Sequence, residues 1–309
     1  MPEEPKTKEK KANNRNKKIV IIDKKMRALL KKVEEIRGTR CLLFLSDITP
    51  DIVKDVYMDI RKNYKDCEGK LDVLIDSGGG DIDAAYNIAT LLQEVASEKL
   101  TFIIPRWAKS AATLLVAAGD EILMSDIAEL GPLDPQITEI NPMEGRYEMF
   151  SPLHLENTLS LIRKEFSDGN KELANKLIER LQFPLTLGSF LKSLEVGERY
   201  VKQLLLARMF KEMNETEAEK KSSEIAKRLS TDYADHGYCV KATEGKKMGL
   251  RIQSLDNSQI DLIMEIYTLY DEKRKIKDTI ERESMMEKIK GLPPNLIPPN
   301  LLSKIKIGK

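Results

Sequence analysis

The chain has 309 residues, enough to bury one large core with appendages. Lys and Arg number 51 against 50 Asp and Glu, a balance that argues against nucleic-acid binding by the chain as a whole. The three cysteines, Cys41, Cys67 and Cys239, lack CxxC spacing, so neither a zinc site nor a disulfide framework is expected, and an odd count fits a reducing compartment.

Residues 1–18 are polar and Lys-rich, and are expected as a disordered basic arm: a solvated tail in preference to a docking segment for an acidic partner. The arm lacks the apolar core of a signal peptide, and no apolar stretch reaches the ~18 residues of a membrane span, so a cytoplasmic protein is expected. Residues 19–37 open with Ile19-Val20-Ile21-Ile22 and continue as a charged helical pattern through Met26, Leu29, Leu30, Val33 and Ile36. Cys41–Leu45 is an apolar run of strand length, and Thr49-Pro50 starts a helix to about Tyr64. Further strand-like runs stand at 73–75, 102–104 and 122–124, with helical patterns between them. This alternation predicts an α/β fold with a mainly parallel sheet covered by helices.

Residues 155–230 carry helical stripes (Leu155, Leu159, Ile162, Phe166; Leu173, Leu177, Leu181; Tyr200, Leu204, Leu205, Met209) and are expected as a helical insertion outside the sheet. Residues 232–253 are a loop with a short helix near Glu244–Met248, stopped by Gly249. A charged helix follows over 257–290, with Ile260, Ile263, Ile266, Tyr267 and Tyr270 on one face, and a Pro-rich tail ends the chain. The expected division is a 1–18 arm, a 19–255 domain, and a 256–309 helix and tail.

Two strand–turn–helix units concentrate the chemistry. In the first, Val73-Leu74-Ile75-Asp76 leads into Ser77-Gly78-Gly79-Gly80 and then a helical pattern (Ile82, Ala85, Ile88, Ala89, Leu92). Glycines there let backbone N–H groups approach a ligand. The turn lacks GxxxxGK[ST] and GxGxxG, so nucleotide binding is disfavoured and an oxyanion donor at Gly79 is the sharper reading. In the second unit, Phe102-Ile103-Ile104 leads to Ala108-Lys109-Ser110-Ala111-Ala112. Ser110 alone reads as a helix N-cap; beside a glycine turn one strand earlier it reads as a nucleophile.

DSGGG with its following helix, AKSAAT, ELGPLDPQI and the late DHGYCVKATEGKKMGL together resemble the serine dehydrogenase proteinase family of the Clp-protease/crotonase fold, related to signal peptide peptidase A. The resemblance spans roughly residues 40–255. It implies a ββα superhelix and a serine peptidase with a Ser, Asp, His triad in that chain order: Ser110 as nucleophile, Asp134 as acid and His236 as base, with Gly79 and Ala111 at the oxyanion hole. It also implies a homo-oligomer assembled through helical extensions, with a peptide or protein substrate and no metal or cofactor.

The chain holds two histidines, so a serine–histidine hydrolase must use His154 or His236, and His154 reads as a surface or packing residue. A lysine base is the mechanistic alternative; Lys164 or Lys171 of the insertion can supply it, whereas Lys109 should point away from a site that Ser110 faces. Two other functions compete. A crotonase-type acyl-CoA enzyme would use the same backbone amides with Asp134 or Asp81 as base and would have no need of Ser110; a catalytically inactive ring-forming scaffold would need none of these groups.

Overall fold

The computed structural model describes residues 5–64, 69–133, 137–141, 146–150, 152–179, 187–233 and 235–289. The chain divides into two units, Met1–Gly38 with Asn257–Lys309, and Thr39–Asp256.

The first unit contains helix α1 (Pro5–Arg37) and the 33-residue helix Asn257–Ile289. They run antiparallel, since Arg15 pairs with Glu283, Asp23 with Lys273 and Arg37 with Gln259. Ile22, Met26, Leu29 and Val33 are buried, as are Ile263, Ile266 and Tyr267 of the other helix. This corrects the expected division. The stretch 1–18 is helical from Pro5 onward rather than a disordered arm, and residues 19–38 group with the C-terminal helix rather than with the main domain. The cause is physical: a polar, Lys-rich segment can continue a helix already nucleated by its apolar neighbour, and Arg15 and Lys18 find acidic partners across the helix pair.

The second unit opens with β1 (Arg40–Phe44), α2 (Pro50–Asn63), β2 (Lys70–Ile75), α3 (Ile82–Val95), β3 (Lys99–Ile104), β4 (Trp107–Ala108) and α4 (Ala111–Val116). Next come β5 (Glu121–Met124), β6 (Glu129–Leu130), β7 (Ile137–Asn141), β8 (Arg146–Phe150), α5 (Pro152–Ser167) and α6 (Lys171–Glu179). The unit ends with α7 (Leu187–Ala207), α8 (Glu215–Thr231), α9 (Ala242–Met248) and β9 (Ile252–Ser254); the long C-terminal helix is α10. The main sheet has the order β1-β2-β3-β5-β9 and is parallel throughout. After its first residue, every residue of β2 and of β3 is buried, which is what a parallel strand covered on both faces requires. The expected α/β class with a mainly parallel sheet is the one observed. β4 and β6 pair as a small second sheet beyond the main one. β7 and β8 form an antiparallel hairpin, Ile137 opposite Phe150, where no strand was expected.

The helical insertion splits in two. Val201, Leu204 and Leu205 of α7, and Ala218, Ile225 and Leu229 of α8, join the same core as Phe102, Ile104 and Ile122 of the sheet. Buried Arg208 follows α7 and donates to the carbonyls of Gln93 and Ala96, at the end of α3, and to Asp120. The second half of the insertion is therefore a layer of the sheet domain and not an extension outside it. α5 and α6 differ: Ile162 and Ala174 are buried, but Leu161, Phe166, Leu173 and Ile178 face outward. Among the described residues, no helix is long and apolar enough to cross a membrane.

Candidate active site

The two turns singled out by sequence meet beyond the ends of β2 and β3. Pairing continues past the main sheet: Ser77 N–H donates to the Trp107 carbonyl at 2.9 Å, and Lys109 N–H to the Ser77 carbonyl at 3.1 Å. Asp76, buried, accepts the Trp107 N–H at 3.0 Å. On the other side Ile48 N–H donates to the Gly79 carbonyl at 2.8 Å. Gly79 is thereby held at φ +104°, with its α-carbon facing the second turn. A Cβ there would lie 2.6 Å from the Lys109 carbonyl oxygen and 2.8 Å from the Ser110 Cβ, so only glycine fits.

Ser110 has φ 51° and ψ −124° and is the one non-glycine residue with positive φ among those described. Such a backbone costs about 1–3 kcal/mol and persists only where its surroundings enforce it. Strain at a strand-to-helix turn is a feature that functional sites share with few structural turns. The capping alternative does not hold: Ser110 occupies the N-cap position of α4 but makes no side-chain cap hydrogen bond. The next amide, Ala111 N–H, finds no acceptor among the described residues, while Ala112 N–H is taken by the Lys109 carbonyl at 2.9 Å. The other expected oxyanion donor, Gly79 N–H, is engaged by Ser77 Oγ at 3.1 Å.

A third wall joins two of the quoted motifs, AKSAAT through Thr113 and ELGPLDPQI through Gly131. Buried Thr113 Oγ1 lies 2.7 Å from the Ala108 carbonyl and 2.9 Å from the Gly131 carbonyl, and accepts the Gly131 N–H at 3.0 Å. This brings the end of β6 against the Ser110 turn; a Cβ on Gly131 would sit 3.3 Å from the Ser110 nitrogen.

Lys109 points away from Ser110, as expected. Its Nζ lies 3.0 Å from Glu129 Oε2 and donates to the Tyr238 carbonyl at 3.1 Å, with Cys239 Sγ at 3.6 Å. Lys241 Nζ reaches Glu129 Oε1 at 3.1 Å. The Cys239 thiol, then Lys109 and Lys241, hold the Glu129 carboxyl down at about 2. His236 is half-buried in the turn just before this cluster, where Asp235 Oδ1 accepts the Gly237 N–H and the Asp235 carbonyl accepts the Tyr238 N–H. Val240, four residues on, pairs with Leu130 in both directions at 3.0 and 3.1 Å. The His236 loop is thus fastened to the residues flanking Ser110. The Ser110 hydroxyl has no hydrogen-bond partner among the described residues.

The other candidates fall as follows. Asp134 lies outside the described residues. His154 falls in the first turn of α5. Lys164, in the last turn of α5, and Lys171, first in α6, are exposed, and neither bonds to the Ser110 turn among the described residues. Asp81, a base in the acyl-CoA reading, caps α3 by accepting the Ala84 N–H at 2.7 Å.

Among curated proteins, the uncharacterized protein MJ1495 of Methanocaldococcus jannaschii is 26% identical over 260 residues, 80% of this chain and 77% of its own. The uncharacterized protein MJ0137 of the same organism is 26% identical over 220 residues, 71% of this chain and 65% of its own. Among solved structures, a variant of the 1510-N membrane-bound stomatin-specific protease aligns with TM-score 0.41 and 15% identity, covering 71% of this chain and 81% of that one. ClpP1 from Listeria monocytogenes aligns with TM-score 0.37 and 12% identity, covering 71% and 94%. Through residues 8–145, which hold both turns, this chain matches the ClpP-like SDH-type serine proteinases, the family that its motifs resemble.

Proposed function

We propose that this protein is a serine peptidase that hydrolyses peptide bonds through an acyl-enzyme on Ser110. The observation that carries the proposal is the strained backbone of Ser110, packed against Gly79 and free of any capping role. The family match over the same segment supports a serine peptidase in general.

In this reading Ser110 Oγ attacks the scissile carbonyl as a base takes its proton. The carbonyl oxygen becomes an oxyanion, held by the Ala111 N–H and by the Gly79 N–H, which exchanges Ser77 Oγ for the substrate oxygen. The base returns its proton to the leaving amine. It then takes a proton from water, which attacks the ester and releases the acid. His236 is assigned as base on the family's triad order, with Asp134 orienting it; its loop being pinned beside Lys109 supports that assignment. Lys164 is the competing base. The outward face of α5 and α6 is assigned to contact with a second copy of the chain.

The test is intact-mass detection of a fluorophosphonate adduct on the wild type and on Ser110→Ala, His236→Ala and Lys164→Ala. An adduct on the wild type that is lost in Ser110→Ala and His236→Ala supports the proposal. Loss in Lys164→Ala with retention in His236→Ala moves the base to lysine. An adduct on Ser110→Ala at the wild-type rate ends the reading.

A further inference from the structure

Lys109 directly precedes Ser110 in sequence, yet its ammonium reaches the loop that carries His236. The stem crosses Gly131, where a Cβ would come within 2.8 Å of Lys109 Cδ. The head then meets three groups from two segments: Glu129 of β6, the Tyr238 carbonyl and Cys239 Sγ. The Lys109 side chain is 18% exposed and that of Glu129 20%, so the pair is far less screened than an open surface ion pair. Glu129 is in turn held by Lys241 and the Cys239 thiol, which makes this a network of linked groups.

Resting on the serine-peptidase reading above, we propose that Lys109 is a positioning residue: through Glu129 and the Tyr238 carbonyl it fixes the His236 loop relative to the Ser110 turn. Adjacency to Ser110 makes the effect direct, because any shift of the loop against Lys109 is a shift against the nucleophile. The loop has other anchors. The Tyr233 and Tyr238 hydroxyls both donate to Glu244 of α9, and Val240 pairs with Leu130. Removing the Lys109 ammonium therefore loosens the register of base and nucleophile while the fold stands.

Lys109→Met keeps the stem and removes the charge; Lys109→Arg restores a cation able to reach both oxygens. The rate constant for fluorophosphonate modification of Ser110 should fall on the order of a hundredfold in Lys109→Met, the loss typical of a misplaced catalytic pair. It should recover most of that in Lys109→Arg. Glu129→Gln should fall less, because the bond to the Tyr238 carbonyl survives. Amide hydrogen exchange over residues 235–241 should speed up in Lys109→Met but not over α4, and the thermal midpoint should fall by no more than it does in Glu129→Gln. A wild-type adduct that forms equally fast in Lys109→Met, or a loss that arginine does not rescue, overturns the positioning role alone. Absence of any adduct on wild-type Ser110 overturns the peptidase reading, and the positioning role with it.

Discussion

Gly79 and Ser110, on turns that leave different strands, pack so closely that a Cβ on the glycine would lie 2.8 Å from the serine Cβ. The contact explains how a strained serine is kept in place. Ser110 cannot relax to negative φ without moving the Lys109 and Ala111 peptides, and both are packed on Gly79.

Gly79→Ala is expected to damage both halves of that contact. The new methyl would have to adopt φ +104° and would meet the Lys109 carbonyl oxygen at 2.6 Å, a backbone atom that cannot step aside. A loss of about 2–4 kcal/mol in urea unfolding is expected, together with loss of fluorophosphonate labelling. Wild-type labelling by Gly79→Ala would show that the contact is not needed for the site.

Ser110 itself separates strain from chemistry. Ser110→Ala and Ser110→Gly both remove the hydroxyl, so neither should form an adduct. Only glycine is at ease at φ 51°. Ser110→Gly should therefore be the more stable of the two by about 1 kcal/mol in urea midpoints, after glycine's extra unfolded-state entropy is counted. Equal midpoints would mean that the turn stores no strain.

Glu129 gives a pH signature in stability. Its carboxyl is held at about 2 in the folded chain, chiefly by the Cys239 thiol and by Lys109, against 4.5 ordinarily. A carboxylate with a depressed folded value stabilises the fold fully above its unfolded value and loses that contribution as pH falls toward the folded one. The thermal midpoint of the wild type should thus exceed that of Glu129→Gln by a constant margin above about pH 5, and the margin should close between about 4.5 and 2. A margin that does not change across that range would remove Glu129 from the network.

Much of this architecture can be read from local sequence, and the reasons differ by element. β2 and β3 are legible because strands buried on both faces are continuous apolar runs, and Gly79 and Ser110 because their residue types stand right after such runs. α7 shows its apolar stripe plainly, yet a stripe does not say what it covers, and it covers the sheet. Polar residues 5–18 read as unstructured because their ion pairs lie more than 250 residues away, on α10. The segments that carry Lys109, Glu129 and Cys239 stand out as motifs, but the contact between them does not: it forms only when the 108–113 turn, β6 and the 235–240 loop are brought together.

The resemblance implies a homo-oligomer assembled through helical extensions, but α7 and α8 pack into the core, which leaves α5 and α6. Their hairpin buries Ile162 and Ala174 inward and presents Leu161, Phe166, Leu173 and Ile178 outward. Burying such side chains fully stabilises by about 1.5–3 kcal/mol each, enough in combination to anchor an interface that other residues complete. Light scattering is expected to find a homo-oligomer whose mass falls toward that of one chain in the double variant Leu161→Glu and Leu173→Glu. Both positions are already exposed, so the variant should keep the thermal midpoint of its isolated chain. A wild type that runs as a monomer and still forms the Ser110 adduct would show that this face has no partner copy and that the site is complete within one chain.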